Sequence, residues 1–329
     1  MSDIALVAEA FWRGSLGTSS ALLSGTLVRA IPLTILGVAI AIAFRAGVFN
    51  IGAEGQLLLG AVAATVVGLH VPQGLGVVGL LLALGAGAAA GGAWAGIAAV
   101  LRARFGVLEV ISTIMLNFIA LNLVSYLVRG PLQEPTRVYP QTASIDEGAR
   151  LPQLVADTRL HAGLLIAFAV SVGAWWFLSR TAAGFRLRAG GAAPAAAAAA
   201  GRVNVPRVSA LALVASGAIA GLAGGIEVAG VTYALYEHLS PGYGFAAIAV
   251  AILARLNPIA VIGTAFLFAT FETGALGMQR DAGVPSTVAS VLEAVAILAV
   301  IGFGGHMAWV RWPRRRGRAS GAPAPEASA

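Results

Sequence analysis

The chain consists of long apolar stretches separated by short connections that are polar or carry arginine. A helix that crosses a membrane needs about 20 predominantly apolar residues. The sequence offers nine candidate stretches: residues 21–44, 51–70, 74–101, 107–129, 162–179, 208–230, 243–255, 257–277 and 285–304. We therefore predict an all-α, polytopic membrane helix bundle with about nine transmembrane segments.

The seventh stretch, 243–255, is short and runs into Asn257-Pro258. It fits either a crossing segment or a half-helix that enters the membrane and returns. The polar, glycine-containing start at Asn50 gives the first half of the chain an interruption of its own. Paired interruptions in two halves of a transport protein indicate a binding site between pseudo-repeats, so we predict a weak internal repeat.

Composition supports a lipid environment. Hydrophobic residues make up 58% of the chain, charged residues make up 11%, and the mean hydropathy is +0.87, whereas soluble domains average about 25% charged residues. All 21 cationic side chains are arginines and cysteine is absent. Chemistry that depends on a P-loop lysine, a Schiff-base lysine or a thiolate is therefore excluded for this chain.

Arginine placement predicts the sidedness of the bundle, because positive residues are retained on the cytoplasmic side. Residues 131–160 carry nearly balanced charges, as expected of an external loop. With nine crossings the amino terminus would be external and the carboxyl terminus cytoplasmic. The arginines on the predicted cytoplasmic side are Arg45, Arg102, Arg104, Arg180, Arg186, Arg188, Arg202, Arg207, Arg255, Arg311, Arg314, Arg315, Arg316 and Arg318.

Three regions follow from this pattern. Residues 1–20 form an external lead-in. This segment is either amphipathic, with Phe11 and Trp12 at the membrane interface, or it follows an upstream membrane helix that is missing from this chain. Residues 21–304 form the transmembrane domain. Residues 305–329 form a basic, disordered cytoplasmic tail, which we interpret as a stop-transfer anchor in preference to a nucleic-acid or anionic-lipid site.

Two polar motifs stand inside the apolar stretches. In residues 50–56 Asn50 can cap a helix, Glu54 lies near its positive end, and the glycines permit close packing; a capped helix entry without ligand contact is the competing interpretation. In residues 109–117 a polar stripe runs along one helical face. Asn117 lies at mid-depth, suited either to a translocation path or to an interhelical hydrogen bond, and Glu109 is expected to pair with Arg102 or Arg104.

Glycines recur every fourth residue at 217, 221 and 225, and likewise at 87 and 91 and at 92 and 96. Such faces allow helices to pack closely. Three carboxylates, Glu227, Glu272 and Glu293, lie within apolar stretches, where each must be protonated, paired or in contact with water. A proton relay through them is the alternative to a structural role.

The connection at residues 180–207 contains five arginines and no acidic residue. Within it Pro194, the alanines 195–200 and Gly201 have the form of a short helix with proline at its start and glycine at its end. Such a helix could transmit force to a partner, or the segment could be a low-complexity linker.

Four runs in this order resemble motifs of the permease subunits of nucleoside and simple-sugar ABC importers, which belong with the wider ribose and branched-chain amino-acid permeases. The runs are residues 44–56 (FRAGVFNIGAEGQ), 109–117 (EVISTIMLN), 184–189 (GFRLRA) and 240–245 (SPGYGF). The resemblance extends from about Phe11 to Phe303. It departs from the family at Ala192, Ala193 and 195–200, where polar and basic residues are usual, and at Ala246-Ala247, where a small polar pair is usual.

The resemblance implies a multi-pass protein of a prokaryotic inner membrane that pairs with a second permease subunit, a cytoplasmic ATP-binding subunit and an external substrate-binding protein. ATP hydrolysis is then expected on the partner, with no cofactor or metal on this chain. The stretch after residue 189 would form the helix that couples to the ATPase. The residues assigned to this coupling are Arg186, Arg188, Pro194, Ala197 and Gly201.

For the solute path the sequence favours Asn50, Glu54, Gln56 and Asn117. Phe245 or Phe271 could supply an aromatic wall, with core packing as the competing role. A proton-coupled secondary transporter using Glu227, Glu272 or Glu293 is the alternative function. An intramembrane enzyme is disfavoured because the four histidines lie at segment ends and no HExxH pair is present.

Overall fold

The structure is a computed structural model. It describes residues 3–285 except 73, 201 and 202, together with residues 287, 291, 294 and 295. These residues form a helical bundle with connecting loops. The helices are α1 Asp3–Ser15, α2 Leu27–Arg45, α3 Ala53–His70, α4 Val77–Phe105, α5 Glu109–Arg129, α6 Gly163–Arg180, α7 Ala182–Ala192, α8 Pro194–Ala199, α9 Val205–Glu227, α10 Tyr243–Leu253 and α11 Pro258–Ala282. Two π-helical turns, Ala21–Thr26 and Val228–Thr232, extend α2 and α9.

The all-α membrane architecture is confirmed, but the count of about nine segments is not. Within the described ranges, seven helices are long and apolar enough to cross a membrane: Ala21–Arg45, Ala53–His70, Val77–Phe105, Glu109–Arg129, Gly163–Arg180, Val205–Thr232 and Pro258–Ala282. The seventh predicted stretch contains only the 11-residue helix α10, about 16 Å long at 1.5 Å per residue. The stretch at 285–304 and the tail at 305–329 lie essentially outside the described residues.

Helix α2 is the central element of the bundle. Residues 30–43 are buried throughout, because α6, α9, α10 and α11 pack around the helix. An apolar residue is therefore required on every side of α2, which is the pattern of a helix buried all round. By contrast, α5 and α6 expose large side chains such as Phe118 and Trp176, as expected of helices that face lipid.

The glycines of the four-residue repeats form a seam between α3, α4 and α9. A Cβ atom on Gly91 would lie 2.6 Å from Gly221 Cα, and one on Gly217 would lie 2.6 Å from Gly91 O. Gly60 of α3 meets the backbone of Gly221 equally closely. A side chain on Gly60, Gly91 or Gly217 would push the backbones apart, so the predicted close packing is found there, whereas a Cβ on Gly96 would make only an ordinary contact at 3.9 Å.

Two ends of the bundle can be distinguished. At the first, α2 ends at Arg45, whose Nε donates to Leu256 O at 2.6 Å, and Arg102 pairs with Glu109 at 2.9 Å; we call this the arginine end. At the opposite end, Arg129 of α5 bonds Glu237. We call this the loop end, because residues 130–162 cover it.

The chain between α9 and α11 leads from the loop end to the arginine end. Glu237 contacts Arg129 at the loop end, and Leu256 contacts Arg45 at the arginine end. Residues 233–242 are not helical and α10 supplies the remaining length. This stretch therefore continues through the bundle instead of returning to the end where it began.

Helix α1 packs across the loop-end half of α11. The Phe11 and Phe271 rings have centroids 6.2 Å apart, and Gly14 approaches Gly277 closely. Trp12 is 57% exposed. This arrangement is compatible with an amphipathic lead-in; its external position stays a prediction.

Candidate functional site

The chain breaks its helical path between α2 and α3. Residues 48–52 are not helical, and Gly47 has φ +72°, where a Cβ would lie 3.2 Å from Gly191 Cα. We call residues 46–52 the first break. Because non-helical backbone inside a membrane protein cannot rely on water for its N–H and C=O groups, the first break needs hydrogen-bond partners from elsewhere.

Two asparagines supply several of those partners, and Glu109 Oε1 accepts from Phe49 N at 3.4 Å. Asn117 Oδ1 accepts from Gly55 N at 2.8 Å, and Asn117 Nδ2 donates to Ile51 O at 2.9 Å. Asn50 Oδ1 accepts from Gly52 N at 3.0 Å. The two amides thus bond Ile51 O and Gly52 N of the first break and Gly55 N in the first turn of α3, which explains why such polar side chains occur in an apolar chain.

Asn50 also connects the first break to α3 and α9. Asn50 Nδ2 donates to Gln56 Oε1 at 2.8 Å, and Gln56 Nε2 donates back to Asn50 Oδ1 at 2.9 Å. Asn50 Nδ2 also donates to the hydroxyl of Ser216 on α9 at 2.9 Å. Sequence reasoning missed Ser216, which lies 166 residues away along the chain and is not part of a recognisable motif.

Glu54 connects α3 to the start of α10. Its Oε2 accepts from Gly244 N at 2.7 Å. The first N–H groups of a helix lack intrahelical partners and carry the positive end of the helix dipole, so a carboxylate is favourable there. A Cβ on Gly244 would lie 2.6 Å from Glu54 Cα, and glycine is what allows the two helices to come this close.

These contacts define a polar junction, which consists of Asn50, Glu54, Gln56, Asn117 and Ser216. Each of the five side chains is at most 2% exposed and has a hydrogen-bond partner within the protein. The structure brings together all four polar residues that the sequence suggested for the path. In this conformation they bind one another and the backbone, in agreement with the interpretation of a tightly packed helix entry.

The two aromatic candidates lie apart from the junction's interior. Phe245 is 49% exposed on the surface of α10, one residue beyond the contact with Glu54. Phe271 packs against Phe11 of α1. Phe271 is half-buried against α1, whereas Phe245 presents an exposed ring beside the junction.

The coupling candidates occupy two short helices at the arginine end. Thr181 caps α7 by accepting from Gly184 N at 3.0 Å, and Pro194 occupies the start of α8. Arg186 is exposed, Arg188 lies within electrostatic range of Arg45, and Ala197 is buried. The short helix with a proline start is therefore present, while Gly201, its predicted stop, lies outside the described residues.

Helix α7 is seated against the first break. Gly191 of α7 meets the backbone from Arg45 to Gly47, where a Cβ on Gly191 would lie 2.7 Å from Ala46 C. This contact connects α7 directly to the segment that leads into α3.

The intramembrane carboxylates differ in their pairing. Glu109 pairs with Arg102, as the sequence suggested. Glu272 pairs with Arg29 of α2 at 3.2 Å, a partner 243 residues away that sequence reasoning missed. Glu227 is 6% exposed and has no hydrogen bond among the described residues, and Glu293 lies outside them. In the same described portion, no three histidine, aspartate or glutamate side chains form a group suited to a metal ion.

The loop end contains titratable groups outside the spanning helices. Hydrogen bonds from Arg129 and Ser125 hold the pKa of Glu237 below its usual value. His161 is buried, and desolvation together with the nearby charge of Arg159 lowers its pKa to about 4. Its Nδ1 accepts from Gly163 N at 3.2 Å, which requires the unprotonated nitrogen. His161 is thus held neutral.

Comparison with known proteins gives a consistent result. The family model for the permease component of branched-chain amino acid transport systems matches residues 22–301. The chain is 40% identical to the guanosine ABC transporter permease protein of Bacillus subtilis, over 89% of this chain and 84% of that protein. It is 39% identical to the glucose ABC transporter permease protein of Haloferax volcanii, over 86% and 77%. No solved structure matches the chain.

Proposed function

The chain belongs to the family of permease components of branched-chain amino acid transport systems, and from this premise we propose that it carries a nucleoside or a simple sugar into the cell. As a permease subunit of an ABC importer it is a transport component. The observation that carries the proposed substrate class is the identity of about two residues in five to relatives named for guanosine and glucose. Both solutes are neutral and rich in hydroxyl groups.

Energy for transport would come from a separate ATP-binding subunit at the arginine end. A chain without lysine has no P-loop lysine to contact the nucleotide phosphates. Helices α7 and α8 would receive the movement of that subunit. The contact of Gly191 with residues 45–47 supports a route from α7 to the first break and from there through Glu54 to α10.

In this proposal the polar junction positions α10, and the exposed Phe245 ring meets the solute at the surface that a second permease subunit completes. The junction side chains themselves would contact solute only after the helices move. An aromatic ring suits a nucleobase by stacking, and it also packs against the apolar face of a sugar ring.

Sidedness follows from the positive-inside rule. The arginine end and the carboxyl terminus would be cytoplasmic. The loop end, with three arginines against four acidic residues in 131–160, would face outward and receive a substrate-binding protein.

A cysteine-free chain makes the sidedness directly testable by single introduced thiols. Ala196→Cys on α8 and Val138→Cys in the loop-end connection both replace exposed residues. In intact cells an impermeant thiol reagent should label Val138→Cys and spare Ala196→Cys; in inside-out vesicles the pattern should reverse. Labelling of Ala196→Cys in intact cells would refute the cytoplasmic position of α8.

The proposed substrate class is tested on the purified assembly. The chain is isolated in mild detergent with its accompanying subunits, reconstituted into liposomes and supplied with the binding protein. ATP hydrolysis should rise several-fold with guanosine or another nucleoside, or with glucose or ribose, and should not respond to leucine. Stimulation by leucine alone would refute the proposed substrate class, and the absence of any co-purifying ATPase would refute the energy source.

A further inference from the structure

A large cavity lies between α6, α7 and α9 on the arginine-end half of the molecule. Its volume is about 1010 Å³, and Ile42 of the central helix α2 contributes to its wall. Apart from its rim, the lining is aliphatic, aromatic or glycine, as in Val170, Phe177 and Leu211. We call this cavity the α6–α9 groove.

The groove adjoins the surface expected to face lipid. Leu211, one of its wall residues, is 60% exposed. The neighbouring turn of α6 exposes Val172, Trp175 and Trp176. Tryptophans concentrate where the hydrocarbon core of a bilayer meets the headgroups, and these two lie within the last two turns of α6, which ends at Arg180. The open side of the groove therefore lies at the depth where lipid headgroups begin.

The rim of the groove is positively charged. Arg186 of α7 and Arg207 of α9 both line it, together with Asn204. Neither arginine forms an ion pair among the described residues, and the connection at 180–207 contains no acidic residue. Two guanidinium groups that have no anionic partner in the described part of the chain thus lie at the mouth of an apolar space.

We propose that the α6–α9 groove binds one anionic phospholipid, with an acyl chain in the groove and the phosphate headgroup between Arg186 and Arg207. Charge complementarity selects this occupant, because guanidinium groups bind phosphate through paired hydrogen bonds. Basic pockets between membrane helices on the cytoplasmic side bind anionic headgroups in the same way. A soluble phosphate would leave the apolar walls unoccupied, and a zwitterionic lipid would add its own cation to the two arginines of the rim.

A lipid bound in the groove would regulate the movement of α7. Arg186 lies on α7, the helix that contacts the first break through Gly191. A headgroup held by Arg186 and Arg207 would link α7 to the start of α9 and would limit the movement of α7. The binding of the lipid itself does not depend on the proposed transport function.

Native mass spectrometry can test the proposal on the full chain, purified in detergent with the subunits that accompany it. The probes are dioleoyl phosphatidylglycerol and dioleoyl phosphatidylcholine, which differ only in the headgroup. We expect one phosphatidylglycerol to bind at least tenfold more tightly than phosphatidylcholine. Arg207→Ala should weaken phosphatidylglycerol binding about fivefold, which is the contribution expected of one arginine beside an anionic headgroup. Arg104→Ala, an exposed arginine at the same end but outside the groove, should change it less than twofold.

A second pair of variants tests the acyl-chain position. A Cβ on Gly173 in the groove, or on the exposed Gly85 of α4, would meet no atom within 4 Å. Gly173→Leu should fill the groove and weaken phosphatidylglycerol binding at least tenfold, whereas Gly85→Leu should leave it unchanged.

Three results of these binding measurements would overturn the proposal. They are equal binding of the two lipids, equal behaviour of the two glycine variants, and full competition by glycerol phosphate without acyl chains. A cryo-EM map of the assembly with a partner subunit's helix in the groove would overturn it as well.

Discussion

The bundle contains two interruptions that solve the same physical problem in different ways. In the first break, residues 46–52, side chains bond the backbone: Asn50 Oδ1 accepts from Gly52 N, Asn117 Nδ2 donates to Ile51 O, and Glu109 Oε1 accepts from Phe49 N. The second interruption, residues 233–242, is held mainly by backbone and hydroxyl groups of the loop end. Thr142 N donates to Leu235 O at 2.9 Å, and Ile145 N donates to Tyr233 O at 2.8 Å.

The two interruptions meet at one contact, between Glu54 just after the first and Gly244 just after the second. The first break therefore depends on a few buried side chains from distant helices, whereas the second depends mainly on a loop and on the partly exposed Arg129–Glu237 pair. Single substitutions should therefore harm the first break more than the second.

Asn117→Leu should cause the largest loss. It removes the partners of Gly55 N and Ile51 O, and a buried backbone group without a partner costs about 1–3 kcal/mol. We expect the free energy of unfolding in detergent to fall by about 4 kcal/mol. Asn122→Leu is the matched control on the same helix, since Asn122 is exposed and bonds only Phe118 O of its own helix. Equal losses in the two variants would contradict the role given to Asn117.

Gly244→Ala tests the contact between the two interruptions. Its methyl group would lie 2.6 Å from Glu54 Cα, so α3 and α10 must separate. Overpacking of this kind lowers the free energy of unfolding by about 1–3 kcal/mol. We expect a loss near the upper limit of this range, together with slower transport. Gly263→Ala on α11, where a Cβ meets nothing within 4 Å, should be close to neutral. A stable, fully active Gly244→Ala protein would show that the close approach is not required.

Acidification should weaken the loop end through His161. Burial lowers its pKa from 6.5 to about 4, so the unfolded chain binds a proton first as pH falls. The stabilising contribution is complete above pH 6.5 and is lost as pH falls from about 6.5 to about 4. Between pH 7 and pH 5 the loss amounts to about 2 kcal/mol.

Thermal unfolding measured at pH 7 and pH 5 checks this expectation. His161→Gln should remove most of the difference between the two melting temperatures. His70→Gln, which replaces an exposed histidine, should retain it. A pH dependence that is the same in the wild type and in His161→Gln would contradict the assignment.

Glu54→Gln should have the smallest effect on stability. Glutamine keeps the volume and an oxygen that can accept from Gly244 N, but it cannot carry a negative charge at the start of α10. A charge near a helix terminus contributes about 1 kcal/mol, so we expect a loss of that order, measured by thermal unfolding. Glu54→Leu should lose about 2 kcal/mol more, because Gly244 N would then lack its acceptor. Equal stability of the two variants would show that the hydrogen bond is unimportant.

Much of the architecture could be predicted because it depends on local composition. Seven long helices coincide with apolar stretches of sufficient length, and the glycine seam follows from a repeat visible in the sequence. The pair Arg102–Glu109 was predictable because its members lie seven residues apart, across one tight turn between two helices.

The remainder depends on which helices become neighbours. The Arg29–Glu272 pair and the Asn50–Ser216 hydrogen bond join residues 243 and 166 positions apart, and no spacing rule connects such residues. The sequence identified the right polar motif at 50–56 but not its partners. It could not decide between a solute path and a packed entry, because both require the same amides in an apolar segment. The length of α10 and the course of the stretch 243–255 through the bundle also depend on contacts with other helices and could not be predicted from the sequence.

We expect this permease to move solute only when a separate ATPase displaces helices at the arginine end. The most direct measurement is the uptake of radiolabelled guanosine and glucose into proteoliposomes that contain either the complete assembly or this chain alone. We predict concentrative uptake by the assembly, dependent on ATP and on the binding protein, and none by the chain alone. Concentrative uptake by the chain alone, driven by a pH gradient without nucleotide, would contradict the account and favour a proton-coupled carrier.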